Sequence, residues 1–141
     1  MMFEDIINKT ENEIMRMSPL TWAYVGDSVY EMYVRTYLSN NTNLNPHKMH
    51  VESIKYVKAE AQAHIVQSLE LNEEEQDIVR RGRNTENHHL PKHASHADYS
   101  YATGFEALIG YLYLLKKNDE LNQILEKSIK IVEDYINNKL K

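Results

Sequence analysis

Apolar residues in this sequence recur three and four positions apart, and nowhere do they keep the alternation of two that a half-buried strand requires. That property points away from sheets and toward a fold made of helices. Asn45-Pro46 opens HKMHVESIKYVKAEAQAHIVQSL, where Val51, Ile54, Val57, Ala61, Ile65 and Leu69 line one stripe of a predicted helix. Ser18-Pro19 opens LTWAYVGDSVYEMYVRTYL, with Ser18 as N-cap and Pro19 in the first turn. Asn72 followed by Glu73, Glu74 and Glu75 marks a further start, the acids facing the positive end of the helix dipole. Gly82 is its expected C-terminal cap. From about Asp98, DYSYATGFEALIGYLYLLKK is almost continuously apolar and reads as a buried central helix, with Ala102, Phe105, Ile109, Leu112 and Tyr113 toward the core. Beyond Asn118 and Asp119, a last amphipathic helix carries Leu121, Leu125, Ile129, Val132 and Ile136 inward.

At 141 residues the expected architecture is one all-α domain spanning 1–141. The absence of cysteine excludes disulfides, thiolate zinc sites, iron–sulfur clusters and thiol catalysis. No stretch approaches the roughly 18 consecutive apolar residues of a membrane span. The start, MMFEDIINKTENE, is acidic and lacks the basic region of a signal peptide, so a cytoplasmic location is expected.

The formal charge of −5 argues mildly against a nucleic-acid partner, but it is an average over two unlike parts. Between Arg80 and His96, the cations Arg80, Arg81, Arg83 and Lys92 face only Glu86, a local +3 that leaves the remainder near −8. The same stretch holds His88, His89, His93 and His96, and residues 83–97 show no helical pattern. Loops of that length inside small domains are usually functional or mobile. The spacing of the histidines matches no metal motif with a known mechanism, and Ala97 separates His96 from Asp98. A solvated loop is the plain alternative. A loop that contacts phosphates, with Arg and Lys supplying charge and His and Asn supplying donors, fits the composition best.

Two acids stand out because their helices are otherwise apolar: Asp27, within Tyr24-Val25-Gly26-Asp27-Ser28-Val29, and Glu106, within Thr103-Gly104-Phe105-Glu106-Ala107-Leu108. A buried carboxylate must be protonated, paired or bound to a metal. Each could cap a neighbouring helix or meet a cation; alternatively both enter one cleft and hold a hard divalent ion. Gly26 and Gly110 suit a close helix approach. Glu31 lies one turn beyond Asp27, where it could join such a site or pair with Arg35.

Residues 24–31, YVGDSVYE, resemble the first signature of the ribonuclease III family, E-[FY]-[LV]-G-D-[AS]-V-L, and residues 101–114, YATGFEALIGYLYL, resemble the second. The two stand in the family's order about 80 residues apart, and the resemblance covers essentially the whole chain. It corresponds to the catalytic domain alone, with no double-stranded-RNA-binding domain expected after Lys141, and the short form with its RRGRN segment points to the Mini-ribonuclease III subfamily. The resemblance implies an all-α symmetric homodimer with a valley for duplex RNA. It also implies a Mg²⁺-dependent endoribonuclease that leaves 5′-phosphate and 3′-hydroxyl ends. It further implies maturation of large-subunit ribosomal RNA precursor, with a ribosomal protein or pre-ribosome as further partner.

Carried over residue by residue, two of the family's four metal-binding acids fall on Asp27 and Glu106, and the other two positions hold Ala23 and Thr103. Asp27 and Glu106 are therefore the expected catalytic and metal residues. Arg80, Arg81, Arg83 and Lys92 are expected on the RNA backbone, from charge and position alone. The missing acids keep open a different class, a non-catalytic RNA-binding module of the same fold. A helical dimerisation protein would explain the core but not the basic loop. Trp22, Tyr24, Val29 and Tyr33 suit a core or an interface equally.

Overall fold

A computed structural model of the chain describes residues 3–85 and 95–140. Among these, a 3₁₀ turn at Glu4–Ile6 is followed by seven helices: α1 (Glu11–Met15), α2 (Pro19–Asn41), α3 (Pro46–Val57), α4 (Ala59–Ser68), α5 (Glu73–Asn84), α6 (His96–Leu114) and α7 (Asn118–Lys139). No strand occurs among the described residues.

Most starts are set by short polar side chains that take up orphan N–H groups of the first turn. Thr10 and Asn72 form reciprocal capping boxes with Glu13 and Glu75. Ser18 accepts from the Leu20 amide with Pro19 just inside the helix, Asn45 accepts from Lys48, and Ser95 accepts from Asp98. The central helix therefore starts two residues earlier than its apolar pattern suggests.

Helix α6 is the axis of the domain, packed by α2, α4 and α5 and more lightly by α7. Its residues from Ala102 to Tyr113 are buried on every side except at Glu106. The predicted core side of α6 is buried as expected, as are Leu121, Leu125, Ile129 and Val132 on α7; Ile136 is half-buried. Aromatic edges lock the crossings: Trp22 meets Tyr111 and Tyr30 meets Phe105, each at 5.0 Å between ring centroids and nearly perpendicular. Buried polar ends find partners. The Trp22 indole donates to the Ile14 carbonyl at 2.8 Å, and the Tyr30 hydroxyl donates to the Tyr56 carbonyl at 2.9 Å.

Three expectations are corrected. The stretch 46–69 is two helices, because Lys58 adopts an extended backbone between Val57 and Ala59. The turn redirects α3, so Val51 and Ile54 face solvent while Ser53 and Tyr56 point inward. Gly82 does not end its helix either. Helix α5 runs on to Asn84, no glycine takes a positive φ, and Gly82 serves instead as a flat contact against Gly104 and Ala107 of α6. Trp22 and Val29 belong to the core, Tyr33 is half-buried, and Tyr24 is 81% exposed.

The tightest contact joins α2 to α6. A methyl group built on Gly26 would overlap the Glu106 carbonyl oxygen, and one on Gly110 would overlap the Trp22 carbonyl oxygen. The two backbones touch with no room for a side chain. Because neither neighbour is a flexible side-chain tip, the helices would have to separate to admit a methyl. Gly26→Ala or Gly110→Ala should cost about 3 kcal/mol or more, at the upper end for overpacking. Urea melts of the single variants check this; a loss under about 1 kcal/mol would mean that the helices slide apart freely.

Candidate active site

The α2–α6 contact puts the backbone of Gly26 on the backbone of Glu106, and Asp27 is the next residue along. The two carboxyl groups therefore meet at the helix crossing. Asp27 is exposed at the lip of an open groove of about 380 Å³, lined also by Ser28, Glu31, Met32, Arg35 and Thr36. Glu106 lies behind it with partial exposure. Burial, above all, pushes the Glu106 carboxyl well above its usual range; a hydrogen bond to Asp27 and the Asp27 charge push it further, and Glu31 adds a smaller repulsion. Gln62 acts the other way, its carboxamide hydrogen-bonding the Glu106 carboxyl and favouring the ionised form.

Glu31 satisfies both readings of its spacing in part. It pairs with Arg35 at 3.0 Å on the exposed face of α2, yet its charge still reaches Glu106. Ala23 and Thr103 are both buried, and the Thr103 hydroxyl donates to the Tyr99 carbonyl at 2.9 Å. Tyr99 also faces Glu106, whose charge raises its phenol after burial has done so. Among the described residues, no three acidic, histidine or cysteine side chains converge closely enough to hold a cation by themselves.

The donor set nonetheless fits a hard divalent ion. Two carboxyls crowded until one resists ionisation are the arrangement that a cation relieves, and magnesium favours oxygen ligands while keeping several waters. Asp27 and Glu106 are the groups that would hold it.

The arginines lie on the second half of α5. Arg80 is exposed and pairs with Asp77. Arg81 is half-buried over the Trp22 ring at 4.8 Å, and Arg83 is exposed with its guanidinium over the Tyr101 ring at 3.6 Å. The Arg83 carbonyl accepts from Ser100 at 3.1 Å, tying the end of α5 to α6. Arg81 and Arg83 therefore carry packing as well as charge. Lys92 lies outside the described residues, as do His88, His89 and His93.

Gln62 was not visible from the sequence. It lies beside the apolar stripe of Ala61 and Ile65, in the place of an ordinary solvated glutamine, and only the turn at Lys58 carries it inside. Tyr99 was equally unmarked.

The ribonuclease III domain matches residues 20–117, a span that runs from the second residue of α2 past the end of α6 and holds both crowded acids. The chain belongs to the ribonuclease III family and is an endoribonuclease. Within the family it groups with the Mini-ribonuclease 3 proteins. It is 46% identical over 127 residues to that of a Thermoanaerobacter species, covering 89% of each chain. It is 40% identical to that of Staphylococcus aureus, covering 90% of this chain and 98% of the relative. The crystal structure of a Fusobacterium nucleatum protein superposes with a TM-score of 0.75 at 31% identity, covering 84% of this chain and 96% of that one.

The raised Glu106 carboxyl has a consequence for stability. A folded-state value above the ordinary 4.5 means that the native state holds this proton more tightly than the unfolded chain does. The contribution is fully present below about 4.5 and is lost as pH rises through the folded value. In metal-free buffer at alkaline pH, Glu106→Gln should therefore melt above the parent protein, and the gain should shrink as pH falls toward 4.5. Calorimetric melts across that range test it; a lower melting temperature at alkaline pH would contradict the crowding.

Proposed function

We propose that the protein is a Mg²⁺-dependent endonuclease of double-stranded RNA that acts on large-subunit ribosomal RNA precursor and leaves 5′-phosphate and 3′-hydroxyl ends. The observation that carries this reading is the meeting of Asp27 and Glu106 where α2 and α6 touch. Magnesium, when bound, supplies Lewis-acid stabilisation of the charge that develops on the phosphodiester oxygens. Asp27, at the lip of the groove, would hold the cation on the side open to the phosphodiester, and Glu106, set behind it, would hold it from within. With only two carboxylates, affinity for the ion in the absence of RNA is weak.

Arg80, Arg81, Arg83 and Lys92 are assigned to the RNA backbone. In support, Arg80 and Arg83 present exposed guanidinium groups at the end of α5, and Tyr101, which carries Arg83, belongs to the helix of Glu106. A-form RNA displays phosphates and 2′-hydroxyls across a shallow groove, so shape and charge dominate recognition.

The working form is a homodimer. Tyr24 and Met32 stand exposed on α2 beside Asp27, and with Phe3, Val25 and Tyr113 they line an apolar groove of about 250 Å³. A large exposed tyrosine at the edge of an apolar groove is what a second copy would cover. A ribosomal protein or the pre-ribosome is assigned as a further partner, and the compartment is the cytoplasm; among the described residues no helix is long and apolar enough to cross a membrane.

A long RNA duplex or precursor stem incubated with the protein and Mg²⁺ should yield discrete fragments with 5′-phosphates, and Asp27→Asn should abolish cutting while leaving duplex binding measurable. Binding without cleavage in any divalent metal would sink the assignment, and a single-chain mass by light scattering would remove the dimer. Separately, Arg80→Gln with Arg83→Gln should weaken duplex binding and reduce its salt slope by about 1 for each phosphate no longer neutralised. An unchanged slope would take the end of α5 out of the RNA footprint.

A further inference from the structure

Two carboxylates leave most of a cation's surroundings to be filled from elsewhere, and the two other family acid positions hold an alanine and a threonine. Gln62 brings a further protein oxygen into the neighbourhood of Glu106. Gln62, on α4, is 3% exposed. Its Nε2 donates to the carbonyl of Val57, the last residue of α3, at 2.8 Å, and its carboxamide lies close enough to the Glu106 carboxyl to favour the ionised form. The Val57 carbonyl can only accept, which fixes which end of the amide is nitrogen. That leaves Oε1 buried and without a hydrogen-bond partner among the described residues.

An orphaned buried acceptor is costly, so a glutamine is a poor choice for this position unless something else meets its oxygen. A leucine or methionine would fill the same space without that cost, although it would leave the Val57 carbonyl without its donor. The corner at Lys58 seats the residue: it turns the chain so that α4 enters the core with Gln62 against α6. Resting on the metal-dependent reading above, we propose that Gln62 is the third protein group of the cation site, its Nε2 pinning Glu106 against the α3–α4 corner and its Oε1 offering a neutral oxygen to the hydrated ion. A neutral donor adds no further charge to a pair of acids already in conflict. It thereby takes a place beside Glu106 that another carboxylate could fill only by deepening that conflict.

The test reads metal binding directly, on protein without RNA, by titrating Mn²⁺ and following the free-ion signal in electron paramagnetic resonance. Gln62→Met keeps the volume and removes both polar ends. It should weaken Mn²⁺ binding by about tenfold or more, the usual loss when a group supporting a metal site is removed. The Mg²⁺ concentration for half-maximal cleavage should rise by the same factor, with the rate at saturating Mg²⁺ changed less. A purely structural role would lower the melting temperature and leave the affinity within twofold of the parent, which would overturn the proposal. Should Gln62→Met fail to fold, Gln62→Glu decides. It puts a charged oxygen in the same place and should bind Mn²⁺ more tightly than the parent; equal or weaker binding overturns the proposal. Parent protein that neither binds Mn²⁺ nor cuts RNA defeats the metal-dependent reading and this inference with it. Parent protein that binds while Gln62→Met binds equally well defeats this inference alone.

Discussion

The structure depends on one backbone contact, the glycine-lined crossing of α2 and α6. Gly26 and Gly110 remove the side chains that would hold the helices at ordinary spacing, and each helix then rests on a carbonyl of the other. The two crowded acids are referred to that point. Asp27 follows Gly26 directly and Glu106 supplies one of the touching carbonyls, so the spacing of the acids is set by main chain. Main chain is stiffer than any rotamer, and a pair built this way is aligned by the fold itself. A second flat contact, Gly82 on Gly104 and Ala107, fixes α5 to the same central helix and brings its arginines with it.

The same crossing makes the site uncomfortable at rest. Two acids share a partly buried space, and Glu106 keeps its proton more readily than a free glutamate would. The opposing influence is modest, a single amide from Gln62. Crowding of this kind is tolerated because the rest of the core is closed and well paired, from the Trp22–Tyr111 and Tyr30–Phe105 edges to the tyrosines Tyr37 and Tyr56 that both donate to Glu133.

Much of this was legible from residue order. Helix starts at Pro19, Pro46 and Glu73 follow from local capping chemistry, which depends on a few neighbours and little else. Asp27 and Glu106 stood out because an acid in an apolar helix is expensive wherever the helix lies, and the structure brings the two together. What local pattern could not give was the corner at Lys58. The apolar stripe is continuous through it, and only packing against α6 decides that α3 turns away with Val51 and Ile54 exposed. Gln62 was lost with the corner, since a glutamine next to a stripe is ordinary until the chain bends. Gly82 misled for a related reason: its freedom at positive φ suggested a stop, whereas its use is the absence of a side chain between two helices. The net charge of −5 misled by averaging, since exposed cations gather at the end of α5.

Helix α6, buried almost all round, also dictates when the domain can form. Helices α2, α4 and α5 precede it in the chain, yet each packs mainly on it. Until residues 96–114 have emerged, those earlier helices have no common surface to settle on, and their apolar faces wait unpaired. Glu106 arrives on the same segment that completes the core. Folding and the assembly of the acid pair are thus one event, and a chain that ends before α6 has neither the core nor the pair.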